Sequence, residues 1–272
     1  MRPFITACLF IVLVSCNDDD PAPVQTDDAL LTRISADGIT ELELFYDIHK
    51  NVYRLEHYSG GNLSSYTLYD YDEKGLKESR RYNAANHELA YRTVFTLDNF
   101  GRVIKAENYS PPDFGSLASV SEFSYNTSGQ LVTREFSADL VSLYYRDVYT
   151  YDEGGNLVSK VRTLYPDQTD ERKGSQYDYT PGSMSIPDHW KLAVFLLNVS
   201  DLDQNVRFMF NSNINVKAWN ADEELYLEVG YEASDHELGN DGEVNRLVLT
   251  RKNILNPGNP DISYEMTYEY VE

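Results

Sequence analysis

Apolar and polar residues alternate along most of the chain after residue 30, and a short polar turn interrupts the alternation every 25 to 28 residues. Each interruption has one form: two aromatic or apolar residues spaced two apart, an Asp or Asn, two or three turn residues and, in most copies, a Gly. Alternation with period two indicates a half-buried β-strand, and Asp followed closely by Gly is typical of a tight turn. Successive copies therefore predict β-hairpins joined into an antiparallel up-and-down meander.

Six copies of this pattern occur between residues 40 and 182. In two of them the turn residues differ: Lys50 stands where the other copies have Gly, and Leu76 follows Gly75 directly. The pattern does not fix the turn geometry at these two sites. The copies are Leu44–Val52, Tyr69–Leu76, Phe95–Val103, Phe123–Leu131, Tyr149–Leu157 and the degenerate Tyr177–Gly182.

The paired aromatic residues of each copy point to one face of their strand, because side chains two apart in a strand share a face. Stacked strand beside strand, they form an aromatic ladder. Such regular spacing favours a packed inner face, and a platform for a sugar or another ligand is the alternative. The ladder residues are Tyr69, Tyr71, Phe95, Phe123, Tyr125, Tyr149, Tyr151, Tyr177 and Tyr179.

Beyond the repeats the pattern predicts one short helix near 187–198 and several more strands. We expect an all-β fold of about 15–17 strands, barrel-like or strongly curled, whose last strand pairs with an early one. Residues 30–272 then form a single domain with hairpin repeats at 40–182, an irregular part at 183–222 and closing strands at 223–272. The additional strands are Val206–Phe210, Glu223–Tyr231, Val244–Lys252 and Ile262–Val271.

Composition narrows the function classes. The 44 acidic residues exceed the 23 Lys and Arg residues by 21, which argues against nucleic-acid binding, because a phosphate backbone requires a basic face. Two cysteines cannot build a disulfide framework. The strands after the turns carry charge on both faces, as at Arg134 and Glu135, whereas a membrane-spanning barrel needs an apolar outer band. We therefore expect a barrel held at the membrane by an anchor alone.

The N-terminus supplies a candidate anchor. Residues 1–15 have the layout of a signal peptide, and Leu13–Cys16 resembles the lipobox of bacterial lipoproteins. That resemblance implies cleavage before Cys16 and attachment of lipid to its thiol; an ordinary secretory signal with a free Cys16 is the alternative. Stable anchoring needs more than one acyl chain, and a lipoprotein cysteine carries two or three.

Residues 16–29 form an acidic, Pro-rich linker. Its Asp18, Asp19 and Asp20 resemble the surface-export signal of Bacteroidetes lipoproteins; the alternative is a solvated spacer. The resemblance implies an outer-membrane location facing the exterior, with the periplasmic face as the alternative.

The motif Tyr-x-Tyr-Asp-x-x-Gly-x-Leu resembles the YD repeats of Rhs-type proteins. Together with the signal and the acidic linker, the hairpins resemble a family of Bacteroidetes lipoproteins of unknown function with a porin-like fold. The resemblance is strong over residues 30–182 and weak beyond. It implies an architecture and carries no activity or catalytic residues.

No catalytic signature occurs in the sequence, and we expect no catalytic residues, no resident metal and no cofactor. Oxygen-rich stretches at Asp201–Asn205 and Asn240–Glu243 allow calcium, although solvated turns are the favoured interpretation. The five histidines are expected at the surface. We therefore expect a non-catalytic binding or interaction module for a glycan or an outer-membrane protein, and no nucleic acid. The alternative is a polysaccharide-acting hydrolase with its site in the loops.

Overall fold

The computed structural model describes residues 30–111, 114–138, 142–154, 157–166, 171–180, 213–239 and 244–271. Within these ranges every regular element is a β-strand. The described residues contain no helix with the length and apolar character needed to cross a membrane. The helix expected near 187–198, the strand Val206–Phe210 and the calcium candidates at 201–205 and 240–243 lie outside the described residues.

Sixteen strands form one closed antiparallel barrel in which each strand pairs with its neighbours in sequence. The predicted all-β meander of about 15–17 strands is therefore confirmed. One of these strands, Asn213–Trp219, was not predicted from the sequence. The strands are β1 Leu30–Ala36, β2 Ile39–Tyr46, β3 Val52–Ser59, β4 Asn62–Asp72, β5 Gly75–Asn83, β6 Leu89–Leu97, β7 Val103–Tyr109, β8 Leu117–Tyr125, β9 Leu131–Ser137, β10 Leu143–Tyr151, β11 Leu157–Leu164, β12 Arg172–Thr180, β13 Asn213–Trp219, β14 Leu225–Leu238, β15 Val244–Asn253 and β16 Ile262–Val271.

The barrel closes where β1 pairs with β16, as the sequence predicts. This seam is well packed, since Ile34 and Met266 are fully buried. Hydrogen bonds add to it: the Asp37 amide donates to the Glu265 carbonyl, and the Glu265 amide donates to the Asp37 carboxylate. Burying apolar side chains on both strands of the seam provides the main stabilisation of closure.

The repeated turns hold their shape through the side chain of their first residue. The Asp98 carboxylate accepts hydrogen bonds from the amides of Phe100 and Arg102, and the same arrangement recurs in the turns that begin at residues 47 and 126. The fourth residue of each turn has a positive φ, which Gly adopts without strain. Lys50 adopts the same conformation with φ 62°, so the first copy keeps the turn geometry despite lacking Gly.

A β-bulge follows the turn at the same place in each of the first five copies. Val52 pairs with Tyr46, but Arg54 pairs with Phe45, so the intervening Tyr53 has no opposite residue. Because one extra residue is inserted, both the first and the fourth residues of the strand face the barrel interior. Val52 and Leu55 are buried in β3, and Val103 and Ala106 are buried in β7.

The interior of the barrel divides into two parts. Around β1–β8, β15 and β16 it is filled by an apolar core that includes Leu31, Leu44 and Leu247. Around β9–β12 the buried residues include the charged side chains of Arg134 and Lys160. The interior therefore contains charge on both sides: Arg81 of β5 lies beside Ser65 and His57, and a larger group of charges lies at β9–β11.

The outer wall is polar and carries ion pairs on most strands, nearly all of them between neighbouring strands. These pairs have partly exposed side chains, so each contributes at most about 1 kcal/mol. Their arrangement keeps charged groups on the face directed towards solvent. Among the described residues they include Arg33–Glu43, Arg80–Asp70, Arg92–Glu78, Lys105–Glu107, Arg146–Glu135, Lys217–Glu228, Arg246–Glu265 and Lys252–Glu232.

The tyrosine at the end of several strands donates a hydrogen bond to the backbone of the preceding strand. Tyr71 Oη, for example, donates to the Val52 carbonyl at 2.9 Å. These acceptor residues begin their strands, so the hydroxyls join neighbouring hairpins at one rim. Phenylalanine would fill the same space without this bond, which accounts for tyrosine at these positions. The other pairs are Tyr46 with Leu31, Tyr125 with Val103, Tyr151 with Leu131 and Tyr270 with Val244.

We predict that Lys50→Gly stabilises the protein. A left-handed conformation costs a non-Gly residue about 1–2 kcal/mol, and the greater flexibility of Gly in the unfolded chain offsets part of that gain. Urea unfolding should show a free energy of unfolding higher by about 0.5–1 kcal/mol. The control is Lys74→Gly in the next turn, because Lys74 does not have a positive φ. That change should destabilise, and equal effects of the two substitutions would contradict the strain at Lys50.

We predict that Tyr71→Phe and Tyr125→Phe each lower the free energy of unfolding by about 1–2 kcal/mol. Each substitution removes the hydroxyl that donates a hydrogen bond to a backbone carbonyl, that of Val52 or Val103. Thermal and urea unfolding would measure the loss. Tyr226→Phe is the matched control, since this side chain is 58% exposed, and should change stability by less than about 0.5 kcal/mol. If the three variants unfold alike, the hydroxyls do not stabilise the rim.

A candidate binding site in the barrel interior

Four charged side chains from neighbouring strands meet inside the barrel. We call Arg134 of β9, Asp147 of β10 and Lys160 and Arg162 of β11 the interior charge cluster. Asp147 is 0% exposed and Lys160 is 5% exposed. Charges this deeply buried are uncommon unless they are paired, so the cluster is the feature of this fold that most needs explanation.

Asp147 and Arg162 form the central ion pair. Arg162 Nε and Nη2 donate to the two carboxylate oxygens of Asp147, each at 2.7 Å. The two residues are directly opposite each other in the β10–β11 pairing. A bidentate arginine–carboxylate pair fixes both side chains in one orientation, so both carboxylate oxygens of Asp147 are paired with Arg162.

Lys160 lies beside this pair and is held differently. Its ammonium nitrogen is 3.9 Å from Asp147 Oδ2 and is directed at the rings of Tyr149 and Tyr177, whose centroids are 5.7 and 5.1 Å away. Within the described part of the chain, the ammonium makes no hydrogen bond. Burial lowers the pKa of Lys160 to about 8, against the opposing effect of Asp147.

Arg134 supplies the third positive charge. Its Nη2 atom donates to Ser121 Oγ at 3.3 Å. The guanidinium carbon lies 5.5 Å from the ring centroid of Tyr145 and 5.9 Å from that of Phe123. Arg162 lies closer to the same Tyr145 ring, at 3.8 Å. Both guanidinium groups are thus stabilised by the same ring, because its π-face attracts cations.

The β-bulges direct the two cations of β9 and β11 inwards. Arg134 and Lys160 stand three residues after the first residue of their strands, the position that Leu55 and Ala106 occupy in β3 and β7. Without the bulge, strict alternation from Leu131 or Leu157 would turn these charges outwards.

Gly174 of β12 makes room for this arrangement. A β-carbon at that position would come within 3.0 Å of the Arg162 carbonyl oxygen and 3.1 Å of its side-chain stem. The glycine therefore allows β12 to approach the cluster closely.

The cluster suits binding of an anion better than metal or acid–base chemistry. It holds three cations and one carboxylate, and the carboxylate already pairs with Arg162. Among the residues with described positions, no group of three or more His, Cys, Asp and Glu side chains could hold a metal ion. Among the described residues the Lys160 ammonium makes no hydrogen bond, so it is the group of this cluster that can donate to an anion.

The structure places the aromatic ladder inside the barrel. Tyr69, Phe95, Phe123 and Tyr177 are buried, while Tyr71, Tyr125, Tyr149 and Tyr151 are largely covered by their neighbours. Burial raises the pKa of Tyr125 and of Tyr151 to about 12. The Tyr179 side chain, Cys16 and Asp18–Asp20 lie outside the described residues.

The ladder does not form an open platform on the outer wall. Its rings Tyr149, Tyr177 and Phe123 instead contact the interior charge cluster.

His57 corrects the expectation that all histidines lie at the surface. It is 8% exposed on the inner face of β3, and burial followed by the charge of Arg81 lowers its pKa to about 4. His49, His87 and His236 are exposed, as expected. His57 is therefore neutral inside the barrel at ordinary pH.

The sequence analysis also missed the interior charge cluster. A usable signal was present: when the hairpins are aligned on their turns, Arg134 and Lys160 fall where Leu55 and Ala106 stand in other copies. A charge at a position that is otherwise small or apolar predicts a buried charge. Asp147 likewise stands where Thr93 and Ser121 occur.

This fold belongs to the closed up-and-down antiparallel barrels, here with an apolar core in part of its interior. Its structure is similar to a porin-like protein from Bacteroides uniformis, with a TM-score of 0.54 and 14% sequence identity over 91% of this chain and 93% of that one. The porin-like fold expected from the sequence is thereby confirmed. At this identity the similarity establishes the fold only.

Other similarities are weaker. A porin-like protein from Bacteroides vulgatus has a TM-score of 0.38 and 12% identity, over 90% of this chain and 99% of that one. The Photorhabdus luminescens Tc holotoxin pore has a TM-score of 0.33 and 15% identity, over 79% of this chain and 12% of that one. TM-scores this low do not establish a shared fold. No protein-family model matches the chain, and no curated protein matches it.

We predict that Asp147→Asn destabilises the barrel by about 3–5 kcal/mol, because it removes the only carboxylate facing three buried cations in the described part of the cluster. Chemical denaturation would measure the loss. The matched control is Glu135→Gln, whose partner Arg146 lies on the outer wall, and it should cost less than about 1 kcal/mol. Comparable losses in the two variants would mean that Asp147 is not electrostatically coupled to the cluster.

Proposed function

We propose that this protein is a lipid-anchored binding module of the bacterial envelope, and not a membrane channel. The observation that carries the proposal is the polarity of the barrel wall. Its outer face bears ion pairs such as Lys105–Glu107 and Arg146–Glu135, while its inner face is apolar and aromatic. A membrane-spanning barrel has the opposite arrangement, an apolar outer band around a polar lumen. Attachment to a membrane would then depend on a separate anchor.

Cys16 is the anchor we propose. The lipobox-like Leu13–Cys16 supports lipid attachment, and the following linker to residue 29 supports separation of the barrel from the bilayer. The aspartates at 18–20 favour export to the outer surface of the outer membrane, with the periplasmic face as the alternative. Because β1 begins at Leu30 on the rim that carries the 47–51 and 98–102 turns, the linker joins that rim. The opposite rim would then face away from the membrane.

A binding role fits the interior better than catalysis. Glycoside hydrolysis requires two carboxyl groups facing one substrate, and the interior charge cluster has only Asp147 among its described members. Glu43 and Glu56 do lie close together, since Tyr58 Oη is within hydrogen-bond distance of a carboxylate oxygen of each, but they lie on the outer wall beside Arg33 and Arg54. A hydrolase with its site in the loops remains the alternative hypothesis.

We predict that cells fed radiolabelled or alkynyl palmitate incorporate label into the wild-type protein and not into Cys16→Ala. The physical reason is that the thiol at position 16 is the proposed acceptor of lipid, and loss of the acyl chains should move the protein from the membrane fraction to the soluble fraction. Cys8→Ala is the matched control and should label normally, since it changes the cysteine within the signal.

Equal label in the wild type and Cys16→Ala would overturn the anchor. Triple substitution of Asp18, Asp19 and Asp20 by Ala addresses orientation separately. If export depends on these residues, the labelled variant should become inaccessible to protease added outside intact cells. Unchanged accessibility to the protease would mean that the three aspartates are part of the linker and do not direct export.

A further inference from the structure

The interior charge cluster carries more positive charge than its described residues neutralise. Arg134, Lys160 and Arg162 contribute three positive charges, and Asp147 contributes one negative charge. This surplus is buried in a chain whose formal net charge is −21. The protein therefore holds a buried ammonium, that of Lys160, whose nearest described carboxylate is already bound by Arg162, inside a barrel with an acidic exterior.

Lys160 is the cation with the fewest contacts. Asp147 is bound at short distance by Arg162, which leaves Lys160 an ion pair of 3.9 Å and no hydrogen bond within the described residues. An ammonium group has three N–H donors. A buried ammonium that uses none of them loses the hydration it had in water without replacing it by direct hydrogen bonds.

The surroundings of Lys160 stabilise its charge only in part. The rings of Tyr149 and Tyr177 attract the ammonium through their π-faces, but a ring offers no lone pair in the position of a strong acceptor. The neighbouring guanidinium groups of Arg134 and Arg162 repel it. An oxyanion beside Lys160 would supply acceptors for its N–H groups and neutralise its charge.

We propose that the barrel interior binds an oxyanion, the phosphate or carboxylate group of a small molecule, with the Lys160 ammonium as its principal donor. This inference rests on the binding role proposed above and names the ligand chemistry of that role. Arg134 adds attraction from the adjacent strand. Asp147 acts as a positioning residue, because it holds Arg162 away from the anion and leaves Lys160 to bind it.

The site should respond to pH. The charged and titratable groups that face Lys160 are Asp147 and Tyr149 from β10, Arg134 from β9, Arg162 from its own strand and Tyr177 from β12. Burial lowers the pKa of Lys160 to about 8. Since the bound anion favours the protonated ammonium, affinity should be full below this pKa and should fall as the pH rises through it.

Calorimetric titration of the full-length protein with inorganic phosphate, sulfate, acetate and glucuronate, at constant ionic strength in chloride, tests the proposal. We expect saturable binding of at least one of these anions, weakened at least tenfold by Lys160→Met. The matched control Lys105→Met removes a lysine that pairs with Glu107 on the outer wall and should bind like the wild type. Preference for phosphate and sulfate would indicate a phosphoryl ligand, and preference for acetate and glucuronate a carboxylate; either result supports the site.

A second measurement keeps the test valid if Lys160→Met does not fold. In wild-type protein with 13C-labelled lysine, the titration of the Lys160 Cε signal should shift to higher pH when the anion is bound. Absence of saturable binding, equal binding by Lys160→Met or an unchanged Lys160 pKa at saturation would overturn the oxyanion site. Palmitate labelling of Cys16 is scored separately, so failure of the anchor and failure of this site are distinguishable.

Discussion

The β-bulge that follows the repeated turns is the constraint on which the rest of the barrel depends. In a regular strand every second residue faces the interior, but at the start of these strands the bulge makes two inward-facing residues lie three apart. Val52 and Leu55 therefore share the inner face in β3, as do Leu131 and Arg134 in β9. The apolar core, the rim tyrosines and the buried cations all follow from this displacement. A turn held by an Asp or Asn side chain and a residue of positive φ places the bulge at the same point in successive hairpins.

The polarity of the wall gives the barrel its physical character. Outer ion pairs favour contact with water, and the inner face is covered mainly by aromatic and aliphatic side chains, with its largest group of charges at β9–β11. Stability therefore depends on a packed apolar core, as in a globular protein, although the strand topology is that of a porin-like barrel. The proposed anion site lies where charge interrupts this packing.

Much of the fold could be predicted because the repeated turns are visible in the sequence. The strand number, the sequential antiparallel order and closure by the last strand follow from turn spacing and from the pattern at Met266, Tyr268 and Tyr270. Strand β13 was missed because it lies outside the repeats and has no turn signature before it. The buried charges were missed because alternation alone assigns Arg134 and Lys160 to the wrong face, and only the bulge corrects it.

The seam between β1 and β16 has a consequence for how the chain folds. Every other pairing joins strands adjacent in sequence, whereas the Thr32 hydroxyl and the Glu269 carbonyl that it contacts are 237 residues apart. Most of the hairpins form by closing short loops, but the seam must close a loop of nearly the whole chain, which is entropically the most demanding step. Until it closes, both strands remain open sheet edges that can pair with other chains. Completing the cylinder therefore protects the protein against association during folding as well as stabilising it afterwards.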